Sequence, residues 1–198
     1  HLTTLRGHTW GVYNLALHEN KLFSGAASND NTIRVWNTET YEEIATLDRH
    51  TGWVSCLTLH ENKLVSGSFD NIIRIWNTET YEEIATLRGH TDWVNCLSLF
   101  ENKLFSGSLD NTIRIWNTET YEEIATLRGH TGPVYCLTIH EKKLYSGSRD
   151  NTIRIWNIET YETIATMIGY TYGVLCLTLH ENKLYVGSGD KTISVWNT

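Results

Sequence analysis

The chain has 198 residues, with 23 acidic against 16 basic side chains and a formal net charge of -7, enough for one domain with a sizeable core. That balance opposes polyanions, so neither nucleic acid nor an anionic membrane is an expected partner. No run of about 18 apolar residues and no charged-then-apolar leader occurs in the sequence, so a spanning or targeting segment is not expected.

In chain order the first predicted element is an outer-strand segment, Leu2 to Leu5. A unit of forty residues then recurs, with Trp36, Trp76, Trp116, Trp156 and Trp196 closing successive copies. A fixed period of this kind predicts stacked supersecondary units, none of which buries its apolar face alone. The approximate repeats are 1–40, 41–80, 81–120, 121–160 and 161–198, read together as a single domain. In the copy from 81 to 120, four runs rich in Ile, Leu, Val, Thr and aromatics predict four antiparallel strands: Val94 to Leu99, Lys103 to Ser108, Thr112 to Trp116 and Tyr121 to Leu127. Asn, Ser and Thr between the runs suit turns, since their side chains bond nearby backbone groups. No stretch carries a helical period. Cys56, Cys96, Cys136 and Cys176 hold one place in four repeats, with Asn14 in the first. Equivalent positions of stacked units lie too far apart for a disulfide or a shared metal ion, so thiols packed in a core and an intracellular, cytoplasmic setting are expected.

Three motifs carry a family resemblance: Gly-His at 7–8, 89–90 and 129–130, then Ser-Gly-Ser-x-Asp, then Thr-Ile-Arg-Ile-Trp. Over its whole length the chain resembles the WD40-repeat β-propellers, with Trp-Asn (Asn37, Asn77, Asn117, Asn157, Asn197) in place of the usual Trp-Asp. The resemblance implies an all-β propeller of four-stranded antiparallel blades, five here, in which the N-terminal outer strand would pair with the last repeat and close a ring. The alternative is a larger ring completed from elsewhere, and the oligomeric state stays open.

The family's structural tetrad of His, Ser or Thr, Asp and Trp maps onto His50, Ser68, Asp70, Trp76; His90, Ser108, Asp110, Trp116; and His130, Ser148, Asp150, Trp156. The Ser two places before Asp is chosen because it persists as Ser188, with Asp190 and Trp196, where the earlier Ser has become Val186. In the first repeat the set is His8, Ser28, Asp30 and Trp36, with two extra residues between Gly25 and Asp30. Ser, His and Asp together also resemble a hydrolytic triad, but a nucleophile needs one exposed hydroxyl and an oxyanion site, whereas these sets recur and end on an indole. Tyr170 replaces the fifth His. One hydroxyl cannot bridge as two imidazole nitrogens do, so the last repeat is expected to be the loosest.

Function is read from where the copies differ. Edits cluster just after His-Thr (Trp10, Trp53, Asp92 and Trp93, Pro133, Tyr172), just after the following Val (Tyr13, Ser55, Asn95, Tyr135, Leu175) and just before the tetrad Asp (Asn29, Phe69, Leu109, Arg149). In a propeller these stations converge on one face, and aromatics with scattered polar groups are the composition of binding hot spots. The expectation is a non-enzymatic scaffold that binds a protein or peptide, with no cofactor and no metal. The alternatives are a lectin-like propeller with sugar pockets, and an engineered or amplified repeat protein without a dedicated ligand. The repeated His18, His60, His140 and His180 read as solvated turn residues.

Overall fold

The structure, a computed structural model, describes residues 1–198, which form nineteen β-strands. The chain divides into two compact units, 1–89 and 90–198. The first unit holds two sheets, one of β1 (Val12–His18), β2 (Lys21–Ala26), β3 (Ile33–Asn37) and β4 (Glu43–Leu47), the other of β5 (Val54–His60), β6 (Lys63–Ser68), β7 (Ile73–Asn77) and β8 (Glu83–Leu87). The second unit holds three. They are β9 (Val94–Phe100), β10 (Lys103–Ser108), β11 (Ile113–Asn117) and β12 (Glu123–Leu127); β13 (Val134–His140), β14 (Lys143–Ser148), β15 (Ile153–Asn157) and β16 (Thr163–Met167); and β17 (Val174–His180), β18 (Lys183–Ser188) and β19 (Ile193–Asn197). Every sheet is an antiparallel meander in sequence order.

The four predicted runs are thus strands with shifted boundaries: the first extends to Phe100 and the third spans Ile113–Asn117. The outer strand begins at Glu123 rather than Tyr121, because Tyr121 sits at φ 63° and donates its N–H to the Asn117 carbonyl 3.0 Å away. The Asn117 side chain accepts the N–H groups of Glu119 and Thr120 at 2.7 and 2.9 Å. Asn after Trp therefore makes the Asx turn that Asp would make.

Apolar residues of one sheet pack with those of the next. In the first unit Phe23, Ile33, Val35 and Leu47 form a cluster with Val54, Leu64 and Trp76. In the second, Phe105, Ile113, Ile115 and Leu127 cluster with Val134, Leu144 and Trp156, and Tyr145 and Ile153 with Val174, Leu184 and Val186. Each such side chain, fully buried, contributes about 1.5–3 kcal/mol. Strand two carries a glycine where the neighbouring sheet's valine comes closest: a methyl added at Gly25 would meet Val54, and one at Gly107 would meet Val134, both at 2.7 Å. All four cysteines are thiols, and burial pushes Cys56 and Cys136 up to about 12.

The last sheet has three strands, and Leu2–Leu5, expected as an outer strand, is not among the nineteen. Ile193 is 79% exposed, whereas its equivalents Ile33, Ile73, Ile113 and Ile153 are buried.

Candidate recognition face and its supporting tetrads

Each varied station has a definite backbone role. Strand one of every sheet contains a bulge: the pairing jumps from Val12 to Asn14, Val54 to Cys56, Val94 to Cys96, Val134 to Cys136 and Val174 to Cys176. The residue skipped is Tyr13, Ser55, Asn95, Tyr135 or Leu175. A bulge leaves one residue out of the ladder and re-aims its side chain, so this station varies without disturbing strand pairing.

A second device joins the other two stations. The N–H of Phe69, Leu109, Arg149 and Gly189 reaches the carbonyl of Trp53, Trp93, Pro133 and Gly173, at 2.9 to 3.0 Å. The turn between strands two and three is thereby tied to the loop entering strand one. All three stations of a sheet lie at the same end of it.

In the first repeat the residue that donates is Ala27, to the Gly11 carbonyl at 3.0 Å. Asn29 was expected at this station and is displaced from it: Ser28 and Asn29 are the two inserted residues, and Ser28 adopts φ 55° to form the longer turn.

In the first unit the stations assemble an aromatic row. Trp53 stacks on Phe69 at 5.1 Å with 11° between planes, and Tyr13 leans on Trp53 at 5.8 Å. Trp10 and Tyr13 are 58% and 65% exposed, and Trp53 is 37% exposed. Ser55 turns inward and donates to the Gly67 carbonyl. In the second unit Trp93, Tyr172 and Leu175 are exposed and so is Arg149, while Asp92, Leu109, Pro133 and Tyr135 are half-buried. Asn95 donates across sheets to the Val134 carbonyl at 3.0 Å, the bond Asn14 makes to Val54 at 2.9 Å. That side chain links sheets as well as lining the station.

Beneath this end lie the tetrads, and here the sequence expectation is corrected. The Ser joined to His and Trp is the earlier one: Ser24, Ser66, Ser106 and Ser146, not Ser28, Ser68, Ser108 and Ser148. His50 Nδ1 lies 2.8 Å from Asp70, its Nε2 lies 2.7 Å from Ser66, and Trp76 donates to Ser66 at 2.8 Å. The sets His90–Ser106–Asp110–Trp116 and His130–Ser146–Asp150–Trp156 repeat these distances within 0.1 Å. In the first set His8 spans Asp30 at 3.2 Å and Ser24 at 2.7 Å, with Trp36 donating to Ser24. One direction satisfies all members: indole N–H to Ser Oγ, Ser O–H to Nε2, Nδ1–H to carboxylate. Ser66, Ser106 and Ser146 are fully buried, so the triad-like grouping has no hydroxyl that a substrate reaches.

Ser68, Ser108, Ser148 and Ser188 have a separate task. Their hydroxyls donate to the carbonyls of Gly52, Asp92, Gly132 and Tyr172 and accept the N–H of the tetrad Asp. Burial opposes ionisation of Asp150, but hydrogen bonds from Thr152, the Thr131 N–H and His130 outweigh it and hold the carboxyl below its usual range. Burial also lowers His130, which favours the neutral imidazole the network needs.

The fifth set is rebuilt. Tyr170 stands for His, and Trp196 donates to its hydroxyl at 2.7 Å. Val186 occupies the place of Ser146 and is buried against the phenol. The phenol stands in for the imidazole and receives the indole directly, while Val186 takes the place of the serine side chain.

Sheets, repeats and tetrads of this kind define a repeat protein built from antiparallel β-sheets. The chain belongs to the WD40 family: it matches the WD domain, G-beta repeat at residues 1–37, 41–77, 81–117, 121–157 and 161–197. Among solved structures it is similar to the computationally designed Ika8 protein, at 29% identity and TM-score 0.87, over 98% of this chain and 61% of that one. It is likewise similar to U3-55K, at 25% identity and TM-score 0.86, over 98% of this chain and 63% of that one. The computationally designed Ika4 protein matches at 29% identity and TM-score 0.74, over 79% of this chain and 98% of that one. The chain thus spans about three fifths of the length of Ika8 and of U3-55K. No curated protein matches it.

Proposed function

We propose that the chain is a non-enzymatic scaffold that binds a protein or peptide across the station-bearing ends of its sheets. WD40 repeats imply a protein-interaction scaffold, and the family is generally non-enzymatic. The observation that carries the reading is the bulge at Tyr13, Ser55, Asn95, Tyr135 and Leu175. Each copy keeps the device that frees this side chain from the ladder and changes only the side chain itself. Exposed Trp and Tyr offer large contact area at low entropic cost, and such residues dominate measured interfaces. A sugar-binding reading would call for similar pockets in every repeat, whereas these stations differ in size and polarity from one sheet to the next.

The test is selection of peptides from a random display library on the immobilised chain, with the selected peptides re-measured on Trp53→Ala and Trp93→Ala. Loss of affinity by about tenfold or more on either variant, in the range of interface hot spots, supports the face. Peptides that bind both variants unchanged would refute it.

A further inference from the structure

The second and fifth sheets treat one place in opposite ways. In the second, Trp53 before strand one and Phe69 in the turn after strand two form the stacked pair, and Trp53 also leans on Tyr13, the bulge residue of the preceding sheet. The fifth sheet carries glycine at both places, Gly173 and Gly189. The second, third and fourth sheets hold Trp53, Trp93 and Pro133 where it holds Gly173. The fourth sheet, which precedes it, is packed in place within the same unit. A methyl added at Gly173 would meet Arg149 Cα at 3.1 Å and the ring of Tyr135, the fourth sheet's bulge residue, at 3.7 Å. Gly173 therefore leaves a gap between two neighbouring sheets where an indole stands in the first unit, with Tyr135 as one wall.

Arg149 borders this gap and brings the only charge to it. Glycine flanks it on its other side too, since a methyl at Gly132 would meet Arg149 Cβ at 3.5 Å. The residue is exposed, its N–H is bonded to the Pro133 carbonyl, and its guanidinium forms no ion pair. The adjacent carboxylate does not neutralise it, because Asp150 is engaged by His130, the Thr131 N–H and Thr152. By contrast, Arg34, Arg74 and Arg114 on the third strands each hold a glutamate. A guanidinium beside an aromatic wall, with no acid of its own, is complementary to a carboxylate carried next to an apolar group. The formal charge of -7 opposes a polyanion, so a single acid in an otherwise uncharged segment is the better match.

We infer, on the reading that these sheet ends bind a protein or peptide, that the gap receives an aspartate or glutamate side chain of that partner. The Arg149 guanidinium donates to the carboxylate. An apolar side chain next to the acid seats against Tyr135, in the place that Trp53 fills over Tyr13. Charge-assisted bonds of this kind are about twice as strong as neutral ones, and the planar guanidinium can make two of them in parallel. The fifth sheet thus gives up its own aromatic pair and takes the equivalent contact from the partner, while Arg149 selects which residue enters.

The probes are peptides selected from a random display library on the immobilised chain, each also made with its acidic side chains changed to the matching amides. The selected peptides should be enriched in a single acid beside an apolar residue. Arg149→Gln, which alters an exposed side chain and leaves the circular dichroism spectrum unchanged, should weaken them about tenfold or more, as loss of a hydrogen bond to a charged group requires. The amide peptides should lose as much on the wild-type chain and nothing further on Arg149→Gln. Selection repeated on Arg149→Glu should enrich lysine or arginine in place of the acid. Arg88→Gln removes an exposed arginine outside the stations and should leave affinity unchanged. Selected peptides without an acid, or acidic peptides that bind Arg149→Gln as well as the wild type, overturn the proposal. If those same peptides weaken on Trp53→Ala or Trp93→Ala, the recognition face stands and only this site falls. A library that yields no binder overturns both.

Discussion

The fourth and fifth sheets occupy the same unit and share most of their framework, yet they solve one packing problem in two chemistries. In the fourth, four side chains pass hydrogen bonds from Trp156 through Ser146 and His130 to Asp150. In the fifth, a single phenol takes the indole bond while Val186 fills the space of the serine. The comparison teaches that His and this Ser form one unit: where a phenol replaces the His it takes the indole bond that the Ser otherwise accepts, and the Ser is replaced with it. The Asp remains, because Thr192 bonds it directly, through hydroxyl and N–H at 2.6 and 3.0 Å.

The largest expected effect comes from breaking the four-membered version. Ser146→Val strands the Trp156 N–H and one imidazole nitrogen in a buried site, at a cost of about 3 kcal/mol, as two orphaned polar groups require. Tyr170→Phe orphans only the half-buried indole of Trp196 and should cost about 1 kcal/mol. Urea unfolding of the two variants measures the difference, and equal losses would mean the two sets are energetically alike.

Next is the exchange of one chemistry for the other. Tyr170→His alone places Nε2 against the methyls of Val186 and takes the acceptor from Trp196, so the melting temperature should fall. Adding Val186→Ser restores both partners, and the pair should be more stable than the sum of its singles by about 1–2 kcal/mol, within the range seen for residues of one network. Additive singles would show that Tyr170 and Val186 are independent.

The sequence favours Ser148 over Ser146 for a reason these sets make plain. Ser148 and Ser188 persist because they clamp the loop carbonyl and the Asp N–H, a turn task that does not involve His. Ser146 has no counterpart in the fifth repeat because Tyr170 removed its partner. Joint loss, rather than persistence, marked the tetrad member. Four-stranded repeats, the Trp positions, the Asx corners and the two-residue insertion before Asp30 were legible, since each rests on local side-chain chemistry. Asn29 falls outside the station because the two-residue insertion follows Ala27, so the count from Ser24 and Gly25 forwards, not from Asp30 backwards, finds the equivalent residue. The bulges were not legible at all: Val-Tyr-Cys-Leu reads as unbroken strand, and only the pairing with the neighbouring strand shows that Tyr135 is skipped.

Acid should separate the same two sheets. His130 titrates below an ordinary histidine, mainly through burial. The unfolded chain therefore takes up the proton first, and the stability tied to the neutral imidazole is present above about pH 6.5 and lost as pH falls below it. The fifth sheet carries Tyr170 there and has no such loss. Asp150 and Asp190 are both held below the usual carboxylate range, so their contributions persist until more acidic pH. Between pH 7 and 5, hydrogen-exchange protection in β13–β15 should drop relative to β17–β19. Parallel change in both would break the assignment to His130.

The smallest effect concerns the outer strand. In the first three sheets an Arg on strand three pairs with a Glu on the outer strand: Arg34 with Glu43, Arg74 with Glu83 at 2.6 Å, and Arg114 with Glu123. In the fourth the Glu position is Thr163, and Arg154 instead lies over the Trp156 ring, 5.9 Å from its centroid. Thr163→Glu would place a carboxylate within reach of that guanidinium, with Thr166 as the second donor, as Thr126 is to Glu123. The pair is partly solvated and the cation–π contact is given up in exchange, so the gain should lie at about 0.2–1 kcal/mol and should shrink in 1 M salt. Glu123→Thr in the third sheet should lose about as much. A gain at position 163 unaffected by salt would point to strand propensity rather than charge as its cause.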